Sequence, residues 1–357
     1  MKAPIIRSVA KVRRFLGQTQ PRRRTLNLAL QGGGAPGAFT WGVLDRLLED
    51  GRIEFDGVSG TSAGAMNAVV LADGLLRGGR DGAREALADF WQAVAQSSPF
   101  DTAVPTLEGD GVMPSPAIQL LLQWSRYFSP YELNPFDFNP LRDIVSERID
   151  FPRLRQQSKI QLFIAATHAK SGRLRLFRNG ELTPDAVMAS ACLPTLHHAV
   201  EIDGEPYWDG GYSANPAIYP LLFDCHARDV VLVLLSPLIY GGGTPRSAAE
   251  IHSRALELAF SANFLREMAM YAHARRYSTE GWLPMGRLER RLAGARMHLI
   301  ESQDLIGHLG TSTKLTAHLP FLQELRDLGR ERAREWLDQN REDLGRRSTI
   351  DLEVLFG

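Results

Sequence analysis

The chain of 357 residues carries 41 basic and 41 acidic side chains, so no net charge exists to recruit a nucleic acid or to draw the whole protein onto an anionic surface. Its 44% hydrophobic content suffices for a substantial core, in one large domain or two modest ones. Two cysteines, Cys192 and Cys225, lack the spacing of a metal site or a disulfide framework, which points to a reducing, cytoplasmic setting, and no apolar run approaches the ~18 residues of a membrane span.

Between Met1 and Arg24 lie eight basic residues and no acidic one. This tail reads either as a solvated, disordered extension or as a membrane-peripheral contact, each basic residue near anionic lipid contributing ~1 kcal/mol. Its basic residues also interrupt any signal-peptide core. Leu26 to Leu30 then forms an apolar strand, followed by Gln31-Gly32-Gly33-Gly34-Ala35-Pro36-Gly37. A helix from about Ala38 to Glu49 places Phe39, Val43, Leu44, Leu47 and Leu48 on one face.

A second strand, Glu54 to Ser59, runs into Gly60-Thr61-Ser62-Ala63-Gly64 and a further helix. In this Gly-x-Ser-x-Gly pattern, Gly60 and Gly64 permit a sharp strand-to-helix turn with Ser62 at its apex. The helix N-terminus points free N–H groups at the serine, a setting for an oxyanion. Asp81 to Gln96 reads as a helix.

Ser97 to Asn139 breaks the alternation, first with Pro and Gly, then with Trp124, Tyr127, Phe128, Tyr131, Phe136 and Phe138. Such a segment, taken here as 97–139, is a lid or acyl-binding insertion, or its aromatics plug the edge of the core. Strands return at Ile160 to Thr167, at Leu196 to Ile202 with His197 and His198, and at Glu205 to Trp208, which leads into Asp209-Gly210-Gly211. Asp229 to Ser236 is nearly all apolar, as a central strand covered on both faces should be. Beyond Gly241 the chain turns helical, with Ala248 to Tyr277, a short strand at Met297 to Ile300 and a charged helix from about Pro320 to Asn340. The salt pairs of that last helix are expected to be ordinary solvation.

Gly32-x-Gly34-x-x-Gly37 is formally a dinucleotide fingerprint, with Asp56 about 20 residues on. Against it, the second strand runs past Asp56 straight into the serine turn. Pro36 also withdraws an N–H group where a pyrophosphate needs several. A hydrolase asks less of the loop, since its backbone N–H groups need only meet one developing negative charge.

The glycine loop, the Ser62 turn and Asp209-Gly210-Gly211, in this order across roughly Leu26 to Leu235, resemble the patatin-like phospholipase family. The resemblance implies a three-layer α/β/α sandwich on a largely parallel sheet. It makes Ser62 the nucleophile, Asp209 the proton acceptor, and Gly32, Gly33 and Gly34, with Ala63, the oxyanion hole. Gly37, Gly60, Gly64, Gly210 and Gly211 are then the motif glycines. The chain divides into the tail (1–24), an acyl hydrolase domain (25–240) and a mainly helical region packed on it (241–357). The implied reaction is hydrolysis of a lipid or small carboxylic ester through an acyl-serine, with no metal and no cofactor.

Pro36 departs from the family, many of whose members carry a basic residue there, and this shifts the expectation from phospholipase toward acyl hydrolase. An aspartate near its reference pKa of ~3.9 is ionised at neutral pH but a weak base. His197 or His198 as the base of a Ser–His–Asp triad is the competing mechanism. A lipid-binding or scaffolding protein of the same fold with little turnover is the competing function. Oligomeric state is left open.

Overall fold

Seven strands lie in one sheet in the order β5-β6-β3-β2-β1-β7-β8, and an eighth, β4, pairs with β3. They are β1 (Arg24–Leu30), β2 (Ile53–Gly60), β3 (Gln161–His168), β4 (Leu174–Arg178), β5 (Val200–Ile202), β6 (Glu205–Asp209), β7 (Asp229–Leu234) and β8 (Arg296–Glu301). The computed structural model describes residues 23–97, 120, 123–125, 127–239, 243–280, 286–302, 314 and 316–357. The basic run up to residue 22 and residues 98–119 of the insertion, which sequence reading singled out, lie outside the described residues. Of the tail's last two arginines, Arg23 pairs with Glu54 at 2.6 Å and Arg24 opens β1.

Strands β3, β2, β1, β7 and β8 are mutually parallel, while β4 and β6 each pair antiparallel with β3 and β5 pairs antiparallel with β6. The helices are α1 (Gly37–Asp50), α2 (Ala63–Gln96), α3 (Pro130–Leu133), α4 (Pro140–Arg148), α5 (Phe151–Gln157) and α6 (Pro184–Ser190), then α7 (Tyr219–Phe223), α8 (Ala248–Glu280), α9 (Arg287–Gly294), α10 (Leu319–Asn340) and α11 (Leu352–Phe356).

The period-2 alternation of the strands sorts the core into two layers. Leu28, Leu30, Val58, Ile164, Val231 and Val233 pack with Phe39, Val69, Leu87 and Leu322 from α1, α2 and α10. Their neighbours Ala29, Phe163, Val230, Leu232 and Leu234 face the other way, onto Leu221, Phe264, Met268 and Phe356 from α7, α8 and α11. The result is a three-layer α/β/α sandwich with a largely parallel sheet. Among the described residues, no helix is long and apolar enough to cross a membrane.

The two helices read on either side of residue 80 are present, running on as α2 across a kink where Gly78 and Gly79 leave helical geometry. Two local expectations change. The strand expected over Leu196 to Ile202 shrinks to β5. Pro194 lies in a turn where Leu196 N and His197 N both donate to Leu193 O, at 3.0 and 2.9 Å, so His197 and His198 precede the strand. The salt pairs of α10 are not all solvation. Arg330 reaches Asp45 and Glu49 of α1, and Arg341 pairs with Asp50 at 3.0 Å.

The region after residue 241 is mainly helical, yet its strand β8 extends the sheet beside β7. A buried ionic cluster holds that edge. Asp229 accepts from Gly345 N at 2.8 Å, lies 3.0 Å from His298 Nε2 and pairs with Arg296 at 2.7 Å. Burial opposes ionisation of Asp229, but these partners prevail and hold it well below the usual carboxylate range.

Helices α1 and α10 meet backbone to backbone. A Cβ on Gly42 would run into the carbonyl of Arg326, and one on Gly329 into that of Phe39. Gly42→Ala should therefore destabilise the protein by about 1–3 kcal/mol, the usual range for overpacking. Gly78→Ala, where a Cβ meets nothing within 4 Å, is the matched control. Thermal melts of the two variants check this, and equal melting temperatures would refute the close helix contact.

Candidate active site

The glycine loop leaves β1 and is pinned at both ends. Gln31 Oε1 accepts from Leu235 N and Ser236 N, at 2.6 and 2.9 Å, tying the loop to the chain after β7. A Cβ on Gly32 would lie 2.6 Å from Thr61 O and 2.8 Å from Ser62 Cβ, so only glycine lets the loop rest on the serine turn. Gly34 adopts φ +69° and Ala35 N donates to Lys314 O at 2.8 Å.

Ser62 sits at φ 53°, ψ −121°, a conformation that costs a β-carbon residue about 1–3 kcal/mol and is held only by its surroundings. Those surroundings are specific. Ser62 N donates to the buried Ser190 Oγ at 2.9 Å, and Thr61 Oγ1 donates to Ala214 O at 2.8 Å. Gly37 begins α1 and Ala63 begins α2, and the two touch, since a Cβ on Gly37 would be 2.5 Å from that of Ala63. Two helix N-termini thus converge beside Ser62, and their dipoles favour negative charge there. Asn67 locks the pair, donating to Gly37 O at 3.0 Å and accepting from Trp91 Nε1 at 3.1 Å.

Asp209 ends β6 opposite Ala166, and its N–H donates to Cys192 O at 2.7 Å. Its Oδ1 accepts from Gly211 N at 2.7 Å. Its Oδ2 is buried and has no hydrogen-bond partner of regular geometry among the described residues. Burial raises the carboxyl to about 7, against the lowering effect of the Gly211 N–H and of the Ser62 hydroxyl. Ser62 therefore acts on this acid without completing a regular hydrogen bond. The reference value of ~3.9 does not describe Asp209, because the folded site removes the water that keeps a carboxylate charged.

The predicted oxyanion donors separate. Gly32 N is already committed, donating to the buried Asn215 Oδ1 at 2.7 Å. The N–H groups of Gly33, Gly34 and Ala63 have no partner among the described residues. Gly60, Gly64 and Gly210 lie against backbone (Gly64, Leu30 and Ala165 carbonyls, respectively) and pack the turn and the Asp209 loop tightly. Gly211 supplies the N–H on Asp209 and faces Phe260.

Neither histidine candidate bonds to Ser62 or Asp209. His198 stacks on Tyr131 at 4.1 Å with Nε2 3.2 Å from Pro130 O, and burial holds His197 below the usual imidazole range. Asp56 accepts from His226 N and Ala227 N, so the acid of the dinucleotide reading is spent on a turn far along β2 from the glycine loop. Burial pushes the Cys192 thiol to about 12, so it is no nucleophile. Among the described residues, no group of three or more His, Cys, Asp or Glu is arranged to hold a metal. Sequence reading missed Ser190 and Asn215, whose only signal was that they closely follow or precede recognisable segments.

The family model described as patatin-like phospholipase matches residues 28–222, more than half of the chain. No curated protein matches the sequence. Among solved structures, the chain is similar to VipD from Legionella pneumophila, with 17% identity and a TM-score of 0.42 over 89% of this chain and 67% of that one. It is also similar to the ExoU–SpcU complex from the type III secretion system of Pseudomonas aeruginosa, with 15% identity and a TM-score of 0.29 over 94% of this chain and 76% of that one.

The raised pKa of Asp209 links stability to pH. The folded state holds this proton up to about 7, the unfolded chain only to about 3.9. The group's stabilising contribution is therefore full below about pH 4 and is lost as pH rises toward 7, amounting to about 4 kcal/mol at most. Asp209→Asn keeps the acceptor for Gly211 N and removes the titration. Its melting temperature should exceed that of the wild type at pH 8, and the gap should narrow toward pH 5. A gap independent of pH would mean that Asp209 titrates normally.

Proposed function

Because the chain belongs to the patatin-like phospholipase family, and so to a family of lipid hydrolases, we propose that it cleaves carboxylic esters of lipids through a Ser62–Asp209 dyad and an acyl-enzyme intermediate. The observation that carries this reading is the pairing of a serine on a strained, largely buried turn with a buried carboxyl that has one oxygen left open. A base is most effective when its pKa lies near the working pH. Burial brings Asp209 there, to about 7.

In the first step Ser62 Oγ attacks the ester carbonyl and its proton passes to Asp209 Oδ2. The carbonyl oxygen takes the negative charge and rests on the N–H groups of Gly33, Gly34 and Ala63, in the field of the two converging helix N-termini. Collapse of the tetrahedral intermediate breaks the ester C–O bond, and the departing alcohol takes the proton from Asp209. Water then attacks the acyl-serine, giving its proton to Asp209, and the second collapse releases the acid and returns a proton to Ser62 Oγ. Gly32 has a different task in this scheme. Its N–H holds the loop to Asn215. With Pro36 in the loop, residues 31–37 themselves hold no cation for a phosphate, which favours recognition through the ester and its acyl chain.

Three variants test this. Ser62→Ala should lose hydrolysis of a nitrophenyl ester and labelling by a fluorophosphonate, while Asp209→Asn should lose most turnover. Because the ionised Asp209 is the acting form, kcat/KM should climb with pH and level off above about 7, and a profile flat from pH 5 to 8 would exclude Asp209 as the base. Asn215→Ala releases the Gly32 N–H and lets the loop shift, so kcat should fall on the order of 10²-fold with KM little changed. Wild-type kcat in this variant would show that the clamp does not set the donors.

A further inference from the structure

The aromatic residues of the insertion that the structure describes do not plug the core. Trp124, Tyr127, Phe128, Tyr131, Phe136 and Phe138 are all exposed, Tyr127 by 82% and Phe136 by 92%. Apolar side chains gathered this densely on a surface ordinarily mark a contact. Their exposure is built. Ser129 N donates to Glu132 Oε2 at 2.8 Å to cap α3, and Pro130 beside it is buried. Asn134 and Phe138 exchange two hydrogen bonds of 2.9 Å, closing a loop that holds Phe136 outward with Asp137 at φ 51°.

This segment is anchored to the chain that carries Asp209. Tyr131 stacks on His198, and Ala199 N donates to Tyr131 Oη at 3.2 Å. His198 O accepts from Cys192 Sγ at 3.0 Å, and Cys192 O accepts from Asp209 N at 2.7 Å. The charge on the segment is just as telling. From Tyr127 to Asn139 the only ionisable groups that carry charge are Glu132 and Asp137, with no basic residue among them. Anionic lipid is therefore disfavoured here. Tyrosine and tryptophan rings with a polar edge, beside phenylalanines, are the side chains that settle at the headgroup level of a bilayer.

We propose that Tyr127–Phe138 is a docking surface for a zwitterionic phospholipid layer, into whose headgroup zone Tyr127, Phe136 and Phe138 insert. The proposal rests on the lipid-hydrolase reading for its direction: an ester held in a lipid aggregate must be met at the aggregate's surface, close to the catalytic chain.

Binding can be measured without turnover, which separates this proposal from the assignment of the dyad. Full-length Ser62→Ala protein is floated with phosphatidylcholine vesicles, alongside the same protein carrying Phe136→Ser and Phe138→Ser. The parent should float, equally at about 0.05 and 0.5 M salt, since insertion of uncharged rings is not screened. The double variant should float at least tenfold less, Tyr127→Ser should reduce flotation in the same direction, and Phe136→Trp with Phe138→Trp should restore it. Melting curves establish that each variant is folded, which exposed positions should allow. Failure of the parent to float, or equal flotation of the serine variants, overturns the proposal. Flotation lost in high salt overturns it in favour of attachment through basic residues. A vesicle-free dimer that the serine substitutions dissociate overturns it in favour of a second copy on this face.

Discussion

The backbone of Gly32 rests on Thr61 and Ser62 with no room for a side chain between them, and the geometry of the whole site follows from that contact. Held there, the loop can offer Gly33 and Gly34 N–H groups to the space beside Ser62 only if its own position does not drift. Restraints from three directions prevent drift: Asn215 on Gly32, the 235–236 backbone on Gln31, and Lys314 O on Ala35 N. Each is a hydrogen bond at a buried or nearly buried position, where a missing partner costs more than an average bond contributes. Stiffness here comes from satisfied polar groups around an otherwise unsupported glycine run.

Two buried aspartates show how surroundings assign roles to one side chain. Asp229 and Asp209 are both withdrawn from water, and burial pushes both toward the neutral form. Asp229 has an arginine, a histidine and a backbone N–H, so partners win and it is a fixed anion that secures β8. Asp209 has one backbone N–H and a serine hydroxyl, so burial wins and it titrates near neutrality. The carboxyl with too few partners is the one suited to exchange protons. Its burial and the strained Ser62 both work against stability, and the sheet core and the α1–α10 contact must offset them.

Much of this was legible in the sequence, for identifiable reasons. Strands such as Asp229–Leu234 announce themselves by apolar runs, and the serine turn by glycines that any sharp strand-to-helix change needs. The three motifs lay in one order along the chain, and the structure brings Ser62, the glycine loop and Asp209 to one place. What stayed hidden depends on distant pairs. Nothing local in Asn215 tells that it will meet Gly32, 183 positions away, nor in Ser190 that it will hold the N–H of Ser62. The pKa of Asp209 was misjudged because burial is a property of the assembled site. His197 and His198 read as strand from their apolar neighbours, but Pro194 turns the chain first.

The helical region after residue 241 carries no catalytic motif, and it still bears on the chemistry through α1. That helix aims its N-terminus at the site, so any tilt of α1 moves Gly37 and the loop that precedes it. Its far side is set by α10, where Gly42 and Gly329 let the two backbones touch and Arg330 clasps Asp45 and Glu49. Near the loop itself, Lys314 O receives the Ala35 N–H. The Gly33 and Gly34 donors are therefore positioned from both sides: by the Asp209 chain through Asn215, and by this later region through α10 and Lys314. A region that only covered the sheet would need apolar contacts alone. Backbone hydrogen bonding to the glycine loop and glycine-to-carbonyl contact with α1 are features of a support for the site.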